Sequence, residues 1–93
     1  MTAIQSKANA ASSATIVTFD TNAALVDAIK AGDVQWAIDQ QPFLQGYLAV
    51  DALWLYLNNR NTIGGGMPTL TGPAFIDQSN IDSIAEYAKA GTR

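Results

Sequence analysis

Two polar side chains in this 93-residue sequence stand where an α/β protein would do its chemistry. Asp20 follows Thr15-Ile16-Val17-Thr18-Phe19, a β-branched and aromatic run that predicts a strand. Gln40 follows Val34 to Asp39, where Trp36 and Ile38 alternate with Gln35 and Ala37, predicting a second strand that stops before Pro42. If the two strands are neighbours, both side chains emerge on one edge of the sheet, the edge where ligands of such folds collect. An ionised carboxylate accepts hydrogen bonds and a carboxamide both accepts and donates, a combination suited to the vicinal hydroxyls of a sugar. Both residues also have plain structural uses: Asp20 can cap the following helix or order the turn, and Gln40 can be a polar loop residue.

Other chemistries find little to run on. The sequence has no histidine and no cysteine, which removes triads, imidazole acid/base chemistry, disulfides and the usual zinc sites; no cofactor or metal is expected. Five basic residues (Lys7, Lys30, Arg60, Lys89, Arg93) lie scattered against eight acidic ones, so no concentrated positive surface is available for nucleic acid. Asp39 beside Gln40 offers a second carboxylate for glycoside hydrolysis, but strand alternation points it away from Gln40, and no enzymatic activity is expected. Gly64-Gly65-Gly66 lacks the strand, the Lys-Ser/Thr pair and the helix of a phosphate loop, and reads as a loop. Trp36 and Trp54 could stack on a sugar ring, yet both sit in apolar patterns that predict core or interface packing.

The elements that would position Asp20 and Gln40 alternate along the chain. The first ten residues predict a short helix with Ile4 and Ala8 on one face, followed by a connector at Ala11 to Ala14. After the first strand a helix is expected from about Ala23 to Ala31, ended by Gly32. Phe43 to Asn58 carries the strongest helical pattern. Phe43, Tyr47, Val50, Trp54 and Leu57 form one stripe, and Leu44, Leu48 and Leu55 widen it beyond what a single sheet face would cover. Thr69 to Ile76 predicts a third extended segment, an edge strand or one bent at Gly72-Pro73. Asn80 is placed to cap a final helix with Ile81, Ile84, Ala85 and Ala88 on its apolar face and Gly91 at its end. This (α)βαβαβα order predicts an α/β fold of the Rossmann-like kind: three layers around a mostly parallel sheet of about three strands. The start of the chain lacks the basic and apolar regions of a secretory signal, and its longest apolar stretch, Tyr47 to Leu57, is too short to span a bilayer.

Taken in order, Ile16-Val17-Thr18-Phe19-Asp20, Ala28-Ile29-Lys30-Ala31-Gly32 and Ile38-Asp39-Gln40-Gln41-Pro42 with Gly46 beyond it resemble the C-terminal portion of type I periplasmic sugar-binding proteins of ABC transporters. The ribose receptor and its relatives carry a G-F-D strand end, an A-I-x-x-G helix end and a Q-x-P-x-x-x-G segment in this order. Here Thr18 replaces the glycine. The resemblance implies that Asp20 and Gln40 hydrogen-bond a monosaccharide in a periplasmic receptor that serves an ABC permease. It also implies a partial domain, about one third of the family length. Residues 1–40 would come from the C-terminal lobe, 41–66 from the N-terminal lobe, and 67–93 would supply a return strand and final helix. Alternatives are the effector-binding core of a LacI-type transcription regulator and a free-standing folding unit that binds nothing. Without the N-terminal portion of the receptor, weak sugar binding is expected, and the over-wide face of the Phe43 to Asn58 helix predicts a homodimer.

Overall fold

In the computed structural model, which describes residues 2–93, the elements follow the expected order. They are α1 (Thr2–Asn9), β1 (Val17–Phe19), α2 (Ala23–Ala31), β2 (Trp36–Asp39), α3 (Pro42–Asn59), a 3-10 turn at Gly64–Gly66, β3 (Ala74–Asp77) and α4 (Ile81–Ala90). No helix among the described residues is long and apolar enough to cross a membrane.

Local sequence explains where the helices begin and end. Asn22 accepts the Leu25 N–H with its side chain at 2.9 Å and so caps α2. Gly32 ends that helix at φ +81°, a left-handed conformation that glycine adopts without a Cβ penalty, while the Asp33 N–H reaches back to the Ala28 carbonyl. Pro42 opens α3, where its missing N–H costs nothing. Asn80 does occupy the N-cap position of α4, but its side chain turns back instead of capping. Its Oδ1 accepts the Asp77 N–H, and its Nδ2 donates to the Phe75 carbonyl, tying the helix start to β3.

The core lies between the sheet and one pair of helices. Leu25, Val26, Ala28 and Ile29 of α2 pack with Ile81, Ile84, Ala85 and Ala88 of α4 over Val34, Ala37 and Ile76. Val26, Ile29 and Val34 are completely buried, each contributing about 1.5–3 kcal/mol relative to exposure. Ile4 and Ile16 pack partly against this cluster; Ala8, expected beside Ile4, is exposed. In β2 the innermost positions are Ala37 and Asp39, while Trp36 and Ile38 are half-buried on the opposite face. That opposite face also carries Val17, Phe19 and Phe75, all exposed, so the chain supplies two of the three expected layers.

The three strands run in the order β1-β2-β3. Strands β1 and β2 are parallel, Val17 opposite Trp36 and Phe19 opposite Ile38, as a crossover through α2 requires. The sheet is otherwise mixed, because β3 is antiparallel to β2, with Ala74 opposite Asp39 and Asp77 opposite Trp36. The cause is the path of the chain after β2. Helix α3 does not cross back over the sheet: it leaves from the C-terminal end of β2, and the chain returns to the same end. There Gly72 lies so close that an added Cβ would stand 2.9 Å from the Asp39 carbonyl oxygen. A strand that starts where its neighbour finished must run the other way. Gly72-Pro73 is the expected bend, and β3 is an edge strand beginning after it.

No residue of α3 is buried. At about 1.5 Å per residue the helix is about 27 Å long, and it draws the molecule out to 58 × 25 × 22 Å. The radius of gyration is 17.1 Å, against about 12 Å for a compact chain of this length. Along one side Leu44, Leu48 and Ala52 are half-covered, and Leu48 and Ala52 line a hollow together with Ile63, Thr69 and Thr71 of the returning chain. The stripe of Phe43, Tyr47, Val50, Trp54 and Leu57 stays open, so Trp54 packs in no core within this chain.

Candidate functional site

Asp20 and Gln40 lie together at the C-terminal ends of the two parallel strands. Asp20 is the first residue past β1, and its N–H continues the ladder to the Ile38 carbonyl at 2.8 Å. It adopts φ +64°, a left-handed conformation more tolerable for aspartate than for most residues with a side chain. Because Asn22 already caps α2, the Asp20 carboxylate is not spent on the helix. Gln40 donates an Nε2 hydrogen to Asp20 Oδ1 at 2.6 Å, a charge-assisted contact between residues twenty positions apart.

The backbone around Gln40 is held on every side. Its carbonyl accepts from the Thr71 hydroxyl at 2.7 Å and from Gln45 Nε2 at 3.1 Å. Gln41, next along, sits at φ +58°. Left-handed backbone at a residue with a Cβ costs about 1–3 kcal/mol and persists only where surrounding contacts over-determine it. Those contacts are present. The Gln41 N–H donates to Asp39 Oδ1 at 2.8 Å, its side-chain Nε2 donates to the Thr71 carbonyl at 2.6 Å, and its carbonyl accepts the Gln45 N–H.

Asp39 points away from Gln40, as alternation predicts, and into the interior, where it is fully buried. Its Oδ2 accepts from Arg93 Nε at 2.6 Å. Arg93 arrives from beyond α4, and its carbonyl in turn accepts the Thr21 hydroxyl at 2.8 Å, beside Asp20. These partners were not foreseen from the sequence. Alternation with Trp36 and Ile38 as the apolar side puts Asp39 on the polar side, where a carboxylate needs no partner; its burial under α2 and α4 is what demands one.

Asp20 Oδ1 and one Nε2 hydrogen are taken up by the mutual contact. That leaves Asp20 Oδ2, the second Nε2 hydrogen and Gln40 Oε1 to meet a ligand: two acceptors and a donor on an open edge. Such a set is suited to neighbouring hydroxyls, which both donate to a carboxylate and accept from an amide. Trp36 is not part of it. It stands at the opposite end of β2, its ring edge-on to Phe75 with centroids 5.6 Å apart. A hollow of about 440 Å³ lined by Lys7, Asp33, Gln35 and Asp77 also lies at that far end, remote from Asp20 and Gln40. Among the described residues no group of three acidic, histidine or cysteine side chains could hold a metal ion.

Known proteins are similar to this chain in sequence and in structure. The xylose/arabinose-binding protein XylF of Sulfolobus acidocaldarius is 40% identical over 63 residues, which are 68% of this chain and 15% of that protein. A carbohydrate transporter from Acidothermus cellulolyticus 11B, solved as a crystal structure in complex with myo-inositol, superposes with a TM-score of 0.92 at 53% identity. The match covers 98% of this chain and 32% of that one, so this chain spans well under half the length of either relative. A sequence model of the periplasmic binding protein domain matches residues 1–61. With well over half of its residues inside that match, the chain belongs to the periplasmic binding protein domain family.

Proposed function

We propose that this chain is part of the solute-binding component of an ABC-type sugar transporter, and that Asp20 and Gln40 supply one wall of its monosaccharide site. The observation that carries the reading is their 2.6 Å contact at the ends of two parallel strands, with acceptors and a donor left over for hydroxyls. The relatives add to it: one is named for binding two pentoses and the other was crystallised with a cyclic polyol of similar size. The role is binding and delivery to a permease outside the cytoplasm, not catalysis.

The path of the chain supports a division between two lobes. Residues 1–40 and the returning 67–93 form the α/β unit of the C-terminal lobe, and residues 41–66 reach out to pack on the N-terminal lobe of a longer receptor. The 58 Å extent and the uncovered apolar stripe of α3 suit such an outreach. A polypeptide of these 93 residues alone covers that stripe by pairing with a second copy. It binds monosaccharides at millimolar strength or worse, since one open edge cannot exclude water or offset the cost of ordering a ligand.

The test is calorimetry on a full-length receptor that carries this segment. Asp20→Ala should weaken binding of the cognate sugar by about 1–3 kcal/mol, the range for losing a charge-assisted hydrogen bond. Unchanged affinity would remove Asp20 from the site.

A further inference from the structure

We infer that Asp39 and Arg93, which face away from the Asp20–Gln40 edge, are positioning residues that hold the Gln40 carboxamide against Asp20. The inference builds on the sugar-site reading for its purpose, but the positioning itself is a property of the free protein.

Gln40 lies between two residues whose conformations are locked from the interior side. On one side Asp39 is fully buried and shared between two donors, the Gln41 N–H on Oδ1 and Arg93 Nε on Oδ2. On the other, Gln41 is in the left-handed region at φ +58°, where only the contacts around it keep it. The Asp39–Gln41 hydrogen bond spans Gln40 and closes a short loop around it. With both neighbours fixed, the Gln40 side chain has one side to occupy, the side facing Asp20.

Arg93 completes the device. A buried carboxylate without a cation would be strongly disfavoured and would turn toward solvent, releasing the Gln41 N–H. The Arg93 side chain, 29% exposed, supplies that charge from beyond the end of α4. Its carbonyl is bound by Thr21, next to Asp20, so the same residue ties the two strand ends that carry the pair. Thr71 acts from the third strand segment, accepting from Gln41 Nε2 and donating to the Gln40 carbonyl.

The experiment is solution NMR on the 93-residue chain without ligand, so its outcome is independent of whether any sugar binds. Asp20→Ala, which leaves no acceptor for Gln40 Nε2, first identifies the displacement of the Gln40 side-chain amide resonances that marks loss of the contact. Asp39→Leu is of similar size and cannot accept. It is expected to move those resonances in the same sense and to speed exchange of the Gln41 amide by about tenfold, the effect of one lost hydrogen bond. Arg93→Gln should shift both readouts in the same direction, and Arg93→Lys, which keeps the charge, should restore them in part. Ile84→Val weakens the core in α4 without touching the network and should leave both unmoved. The inference is overturned if Asp39→Leu and Arg93→Gln leave Gln40 and Gln41 unchanged, or if Ile84→Val moves them as far. Should Asp39→Leu fail to fold, Arg93→Gln and the wild type decide: a Gln41 amide exchanging at the unprotected rate in the wild type overturns it.

Discussion

Replacing Trp54 by serine tests whether the open face of α3 drives self-association of the isolated chain. Phe43, Tyr47, Val50, Leu53, Trp54 and Leu57 are each between 49% and 69% exposed on this helix. At roughly 100 Å² of uncovered surface each, they offer roughly 600 Å² per copy, close to the ~800 Å² per partner of a stable interface. Trp54, at 60% exposure, would lose about 120 Å² of a side chain of about 200 Å² on full coverage. At about 25 cal/mol per Å² that is about 3 kcal/mol per copy. A two-fold dimer contains the residue twice, so even half-complete coverage puts the effect of Trp54→Ser at about 3 kcal/mol of dimer, about a hundredfold in Kd. Trp54 lies outside the buried core, so the variant should retain the wild-type fold and circular dichroism. Sedimentation velocity across the micromolar range provides the comparison. A wild type that stays monomeric throughout that range, or a variant that associates as tightly as the wild type, refutes the reasoning.

Three further perturbations test the fold that carries the site. Ile29→Ala empties a completely buried position between α2 and α4 and should cost about 2–5 kcal/mol in urea denaturation; a loss under about 1 kcal/mol would mean that the α2–α4 core is not packed as described. Gly72→Ala drives a methyl to 2.9 Å from the Asp39 backbone oxygen, and should cost about 1–3 kcal/mol and disturb the Gln40 resonances; an unchanged Gln40 spectrum would contradict this approach of the chain. Asp77 is held below its ordinary pKa of 3.8, first by the Ser79 hydroxyl and then by the Ser79 amide, with desolvation opposing and the Asn80 amide adding least. A lowered folded-state pKa gives stability that is present above pH 3.8 and is lost as pH falls through the lower value. Ser79→Ala should therefore melt below the wild type at neutral pH, with the gap closing on acidification, and a gap independent of pH would exclude this linkage.

The sequence determined local structure and the placement of Asp20 and Gln40 on one edge. Asn22 and Gly32 bracket α2, Pro42 opens α3, and Gly91 ends α4 at φ +72°, because caps and left-handed termini depend on residues adjacent in the chain. Asp20 and Gln40 were legible for a related reason: each follows a short apolar run, and parallel neighbours must bring such ends to one edge. The apolar width of α3 likewise showed in its spacing before any contact was known.

What only the tertiary structure decided depends on residues far apart in the chain. The direction of β3 follows from α3 leaving and returning at one end of the sheet, a path that no local pattern encodes. Which face of β2 is innermost is also a matter of tertiary packing: bulky Trp36 and Ile38 suggest burial, yet α2 and α4 cover the side bearing Ala37 and Asp39. The partners that hold Gln40 in place come from positions 71 and 93, where a threonine in an irregular stretch and an arginine after the last helix carry no local signature. Periodicity assigns a side chain to a face, and helix packing then decides whether that face meets protein or water.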